Sequence, residues 1–171
     1  MSKKITIIAA YSKNKIIGKN GVLPWNIKED FTRFLNIVRQ PNTSCIMGLN
    51  VYNDLNNIGL YPFTTDNIII SKTLKDNIPL TKITSNIEEA INLTSYNKVY
   101  ILGGYNIYKY YLEYATHMQL TKINDNYEGD VYFPNFDKSK WIKNNKTKLF
   151  NILDKKNNKY VDILFIDYFR K

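Results

Sequence analysis

The chain has 171 residues, 44% of them hydrophobic, enough for one compact unit with a real core and no reason to expect a second. A single cysteine, Cys45, and a single histidine, His117, exclude a disulfide framework and argue against a Cys/His metal centre. The formal charge of +9 is scattered along the chain rather than gathered into a stripe, so the expected partner is a small polyanion and not a nucleic acid.

The chain opens "MSKKITIIAAYSK", a short apolar run that continues as an alternating strand from Ile5, with no cleavage-site pattern. No run approaches the roughly eighteen apolar residues needed to span a bilayer, so a soluble, cytoplasmic protein is expected. The glycine-punctuated stretch "IIGKNGVLPW" follows, a loop that is either a lid or a connector. A helical pattern then runs from Ile27 to Arg39, with Asn26 as expected N-cap and Glu29 three positions on. Further strands read at "SCIM" from Ser44, where Cys45 is expected as a buried thiol, at "NIIIS" from Asn67, at "KVYIL" from Lys98 and at "MQLTKI" from Met118. Between them lie helical patterns over Asn50 to Asn57, from Ile87 ("IEEAINLT") and from Asn106 ("NIYKYYLEYA"). This alternation, with several strands continuously apolar, implies a largely parallel sheet covered on both faces. The end differs: "KTKLFNIL", the turn-like "DKKNNK" and the alternating "YVDILFIDYF" read as an antiparallel hairpin at the sheet's edge.

Two places could carry chemistry. At 100° per residue Ile27, Phe31, Phe34, Leu35 and Val38 share one face of the first helix, and Glu29 and Arg33 are expected to face water. Asp30 falls on the edge of the apolar face, between Phe34 and Ile37, where a carboxylate needs a partner because an unpaired buried charge is costly. An acidic residue in a first helical turn more commonly complements the helix dipole, so Asp30 acquires meaning only with its surroundings. The second place is Gly103-Gly104, closing the apolar strand and opening a helix, where backbone N–H groups can receive a phosphate; such a pair is more commonly a simple turn, and it is not the G-x-G-x-x-G fingerprint. Thr121, a strand hydroxyl in "QLTKI", could pack or hold a nearby carboxylate.

Taken in order, "IAA" at Ile8 to Ala10, "IIG", "LPWN" followed by Asp30 and Phe34, "IMG" at Ile46 to Gly48, "NIIIS", "ILGGYNIY" at Ile101 to Tyr108, "LT" at Leu120-Thr121 and "EGDVYFP" at Glu128 to Pro134 resemble the dihydrofolate reductase family. The resemblance implies a single α/β domain over residues 1–171, with a central mixed, mostly parallel sheet of about eight strands, about four flanking helices and an antiparallel C-terminal hairpin. It implies a monomeric NADPH-dependent oxidoreductase that reduces dihydrofolate to tetrahydrofolate for one-carbon and thymidylate metabolism, with no metal. By the same matching, Asp30 would hold the pterin edge, supported by Thr121 and near Trp25, with Leu23 closing over the ring. Ile8, Phe31, Phe34, Leu55 and Leu102 would line the substrate slot. Main-chain groups of Ala10 and Ile17 would meet the nicotinamide, with Tyr108 beside it; Gly103, Gly104 and Tyr105 would take the diphosphate; Gly48, Asn50 and Ser71 would lie on the cofactor side, with Lys72 favouring a 2′-phosphate.

The sequence also departs from the family pattern. "MGLNVY" places Leu49, Asn50 and Val51 where a cation and a hydroxyl usually serve the cofactor phosphates, Tyr105 replaces a small residue, and "YPFTTDN" places Thr65 where an arginine usually grips the folate carboxylate. Arg39 and Lys28 are the candidate substitutes for that arginine. Two other readings follow: a reductase of the same fold acting on an unconjugated dihydropterin or another small heterocycle, and a basic binding protein that keeps the fold without catalysis.

Overall fold

A computed structural model describes residues 2–62 and 66–171; Thr65 lies outside the described residues. Eight strands form one sheet in the order β5-β4-β3-β6-β1-β7-β10-β9. β1 (Lys4–Ser12) runs through its middle, parallel to both β6 (Lys98–Ile101) and β7 (His117–Ile123). β3 (Thr43–Gly48) pairs with β6 and β4 (Asn67–Ile70), and β4 with β5 (Thr81–Thr84), all parallel. The hairpin β9 (Trp141–Asp154) and β10 (Lys159–Arg170) completes the sheet antiparallel to β7. A separate two-stranded sheet joins β2 (Ile16–Gly18) to β8 (Val131–Tyr132).

The continuous apolar strands of the sequence are explained by the two layers around them. Ile5, Ile7, Ala9 and Tyr11 of β1 pack with Ile46, Ile68 and Ile101 toward α4 (Tyr105–Tyr111), while Ile8 packs with Cys45, Met47, Ile69 and Leu102 toward α1 (Lys28–Val38) and α2 (Leu49–Asn57). Alternate residues of each strand therefore serve opposite cores, and a strand buried on both faces has no polar side to show. Cys45 is fully buried, and burial pushes its thiol up.

Three corrections concern local structure. β2, β5 and β8 have two to four residues each, too few for any periodicity to register. α1 starts one residue later than expected: its N-cap is Ile27, with no side-chain cap, and the Asn26 N–H just before it donates to the Asp154 carboxylate at 2.9 Å. The helical run from Ile87 divides into α3 (Ile87–Ala90) and a 3-10 turn over Ile91–Leu93. Among the described residues no helix is long and apolar enough to cross a membrane.

Candidate active site

A cavity of about 740 Å³ opens at the carboxyl ends of the parallel strands, the place where α/β sheets bind ligands. Its wall includes Ile8 and Ala10 of β1, Gly48 at the end of β3, Ser71 and Lys72 after β4, Leu102 after β6 and Thr121 of β7. α1 contributes Asp30, Phe31 and Phe34, α2 contributes Asn50 and Leu55, and α4 contributes Tyr105 and Tyr108; Ile17 comes from β2 and Leu23 from the loop that follows it. Of the residues that the family resemblance assigns to substrate or cofactor, all line this cavity except Trp25 and Gly103. Trp25 is buried against Tyr127, ring centroids 5.2 Å apart, and its Nε1 has no hydrogen-bond partner among the described residues. Gly103 acts from behind the wall: its φ is +99°, a Cβ there would meet the Tyr108 ring at 2.7 Å, and its carbonyl accepts the Gly48 N–H at 2.8 Å. Tyr108 in turn donates its hydroxyl to the Ile8 and Leu102 carbonyls, at 2.7 and 3.0 Å, tying β1 to the end of β6.

One end of the cavity suits an anion. α2 and α4 both begin there, at Gly48 and Gly104, and neither start has a side-chain cap; α3, whose first residue Ile87 also lines the cavity, is capped by Asn86, which accepts the Glu88 N–H. Uncapped first-turn N–H groups leave donors and the positive end of the helix dipole facing the cavity. No Cβ contact would arise within 4 Å at Gly104, so the backbone there is open to close approach. Leu49 and Val51 also line this end, and Lys72 is the cation beside them. These features fit a dinucleotide diphosphate.

The other end carries one carboxylate on an apolar floor. Asp30 is half-buried among Ile8, Phe31, Phe34 and Leu102. Burial raises its carboxyl above the usual range, a hydrogen bond from Thr121 and the Arg33 charge act in the opposite sense, and burial prevails. Thr121 is itself buried, held between Ala10 of β1 and Phe165 of β10 by the strand register.

Arg33 corrects the helical-wheel expectation that it faces water. Its side chain is 17% exposed, pairs with Asp167 Oδ1 at 2.7 Å, lies 4.6 Å over the Phe165 ring and lines the cavity. Asp54 is a second residue missed by the sequence reading: it lines the cavity from α2, and burial raises its carboxyl against the opposing pull of Lys156. The two cations proposed to hold a substrate tail, Lys28 and Arg39, are not in the wall; among the described residues its basic members are Arg33 and Lys72.

The loop above is pinned at both ends. Asn20 N–H donates to the Asp130 carboxylate at 3.2 Å, and beyond Leu23 the hairpin turn holds on through Lys156 Nζ to the Leu23 carbonyl at 2.6 Å and Asn157 Nδ2 to the Pro24 carbonyl at 2.9 Å. Val22 and Leu23 are exposed apolar side chains at the cavity mouth, as an apolar cover requires.

An α/β sheet with a dinucleotide-sized cleft at its carboxyl edge and a half-buried carboxylate, Asp30, on the cleft floor defines a class of nucleotide-dependent enzyme. The model of the family described as dihydrofolate reductase matches residues 4–170, and the chain belongs to that family. It is 34% identical to a dihydrofolate reductase of Staphylococcus haemolyticus over 90% of this chain and 89% of that one. It is 37% identical to one from Buchnera aphidicola subsp. Schizaphis graminum over 82% and 84% respectively. Among solved structures it resembles a dihydrofolate reductase from Enterococcus faecalis complexed with NADP(H) and RAB-propyl, with a TM-score of 0.77, 22% identity, and coverage of 98% of this chain and 96% of that one.

Proposed function

We propose that the chain reduces dihydrofolate to tetrahydrofolate with NADPH, adding a hydride at pterin C6 and a proton at N5. The observation that carries this reading is Asp30: a half-buried carboxylate on a largely apolar floor, backed by a buried hydroxyl and facing a cleft large enough for two ligands. Its two oxygens match the paired N–H donors of a pterin's amidine-like edge. NADPH supplies the hydride when bound. Gly104, Tyr105 and Asn50 would hold its diphosphate, the Ala10 and Ile17 main chain its carboxamide, and Lys72 its 2′-phosphate. Phe31, Phe34, Leu55 and Leu102 orient the pterin and exclude water, which strengthens every polar contact made inside. Asp30 fixes the ring and favours protonation of N5 without touching it.

We read the unit as one domain over residues 1–171, acting as a cytoplasmic monomer; sedimentation at working concentration tests the monomer. The decisive assay follows NADPH oxidation with dihydrofolate and, in parallel, with a dihydropterin that lacks the glutamate. Turnover of dihydrofolate supports the reading, and turnover confined to the short pterin overturns it in favour of the small-heterocycle alternative. That alternative draws on one observation, that the cavity wall presents Arg33, already paired, and Lys72 as its cations among the described residues.

A further inference from the structure

Strand register assembles a polar row beneath the cavity floor. Ala10, Thr121 and Phe165 are cross-strand neighbours, as are Ile8, Gln119 and Asp167 one step along, so these side chains stand on one face of the sheet. α1 lies across that face and sends Arg33 into it. The guanidinium donates through Nη2 to Asp167 Oδ1 at 2.7 Å and through Nη1 to the Leu120 carbonyl at 3.3 Å and, weakly, to Thr121 Oγ1 at 3.5 Å, with its plane over Phe165. Thr121 keeps its proton and directs its O–H toward the Asp30 carboxylate, since a hydroxyl that accepts from arginine is free to donate onward.

We propose that Arg33 is a positioning residue for the reduction: clamped by Asp167 and Phe165, it orients the Thr121 hydroxyl toward Asp30 and supplies the countercharge that a carboxylate in an apolar cleft needs. This rests on the reading of Asp30 as the pterin-holding group. Arg33 has no substrate to touch in this role. It acts through Thr121 and through its charge, and Asp167 fixes where that charge sits. A planar, always-charged fork suits the task better than a lysine, which would place a point charge with no fixed direction.

The groups that face Asp30 are few enough for the effect to be read. Arg33 comes from α1, Thr121 from β7, Tyr108 from α4, where the Asp30 charge adds to burial in raising its phenol, and Asp167 from β10 behind the arginine. Asp54 of α2 and Lys72 line the same cavity. Removing the arginine cation takes away an attraction for the ionised form, so Asp30 should titrate at higher pH.

The test is direct titration of Asp30 by its carboxyl carbon resonance in the ligand-free, full-length protein, wild type against Arg33→Met, Arg33→Lys and Thr121→Val. The expected result is an upward shift of the Asp30 midpoint by roughly half a pH unit or more in Arg33→Met. Arg33→Lys should fall between it and wild type, and the pH profile of turnover should move the same way. The shifts of Arg33→Met and Thr121→Val should not add in the double variant, because the arginine acts partly through the hydroxyl. An unchanged midpoint, with or without a lower Tm, would mean that Arg33 only braces α1 against β10 and would overturn the proposal. Arg33→Gln, which keeps a planar donor group, carries the same expectation should Arg33→Met fail to fold. The readout needs no substrate, so it stands apart from the fate of the site reading, which Asp30→Asn turnover decides.

Discussion

The two ends of the parallel sheet each hold a carboxylate, and the chain treats them in opposite ways. At the amino ends of the strands Asp66 is buried and accepts from Ser44 Oγ, from the Ser95 N–H at 2.7 Å, from Ser95 Oγ at 2.9 Å and from Lys82 Nζ at 2.9 Å. Burial pushes its carboxyl up, but these donors outweigh burial and hold it below the usual range. At the carboxyl ends Asp30 has no comparable set of donors among the described residues; the Thr121 hydroxyl and the Arg33 charge lower its carboxyl, and burial wins. Asp154, fully buried at the hairpin turn, follows the Asp66 pattern with donors from Asn26 N–H, Tyr127 Oη, Asn157 Nδ2 and Lys156 N–H. A carboxylate whose lone pairs the protein fills is part of the fold. One left with open lone pairs beside a cavity is kept for a ligand, at a cost in stability.

The largest effect expected from this contrast is Asp30→Asn. Volume is conserved, but an amide cannot offer two acceptors to two donors, and loss of the group should lower dihydrofolate turnover by about 10²- to 10⁴-fold at neutral pH, the usual range for a positioned proton-transfer group. Stability should move the other way. A carboxyl raised in the folded state is strained when ionised, and the strain disappears as pH falls through its folded value. The asparagine variant should therefore match or exceed wild type in Tm at neutral pH and lose that advantage in acid. A variant that is both active and less stable would show that Asp30 belongs with Asp66.

For Asp66 the signs reverse. Asp66→Ala leaves Ser44 and Ser95 without their shared acceptor, while Lys82, 45% exposed, can turn to water, and denaturant unfolding should show a loss of about 2 kcal/mol, the scale of hydrogen bonds to a buried charged group. Turnover per folded molecule should hold, because this network sits at the opposite end of the sheet from the cavity. A lowered carboxyl contributes stability that is present above its unfolded value and lost as pH falls through its folded one, so wild type should weaken in acid and the alanine variant should weaken less.

How much of this contrast could be read from sequence depends on where each residue's partners lie. Asp30 was legible because its apolar neighbours, Phe31, Phe34 and Ile37, are on its own helix and the 3.6-residue period places them. Arg33 was misread by the same period: Asp167 and Phe165, which hold it, are more than 130 residues away on a strand whose place in the sheet no local pattern gives. Asp154 read as the start of a polar turn, which it is, with nothing to show that Asn26 and Tyr127 converge on it. The sheet's parallel core and its terminal hairpin were legible from alternation and continuous apolar runs, whereas β2, β5 and β8 depend on neighbours supplied by tertiary structure.

Asp154 sharpens the comparison because it is a fold carboxylate close to the site's cover. Asp154→Asn keeps the shape but removes the charge that receives the Asn26 and Lys156 N–H groups, with an expected stability loss of about 1.5 kcal/mol. Lys156 also holds the Leu23 carbonyl, so the turn and the loop are anchored together. Amide exchange of residues 19–26 should quicken in this variant, more than exchange in β1. Equal exchange in both would detach the loop from the hairpin turn.

The smallest effect expected is at Lys72, in the same cavity wall as the uncapped starts of α2 and α4. Two uncapped helix starts already offer N–H donors there, and Leu49 and Val51 add neither charge nor hydroxyl, so discrimination for a 2′-phosphate falls to one exposed lysine. An exposed charge pair contributes about 1 kcal/mol at most in low salt and less as salt screens it. Lys72→Gln should therefore weaken NADPH by about fivefold or less, leave NADH unchanged, and lose even that difference as ionic strength rises. Dissociation constants for both cofactors across a salt series measure it. If NADPH weakens without NADH and the difference fades with salt, the helix starts hold the shared diphosphate and Lys72 reads only the extra phosphate. If both cofactors weaken together, Lys72 serves the diphosphate, and the two helix starts are insufficient by themselves.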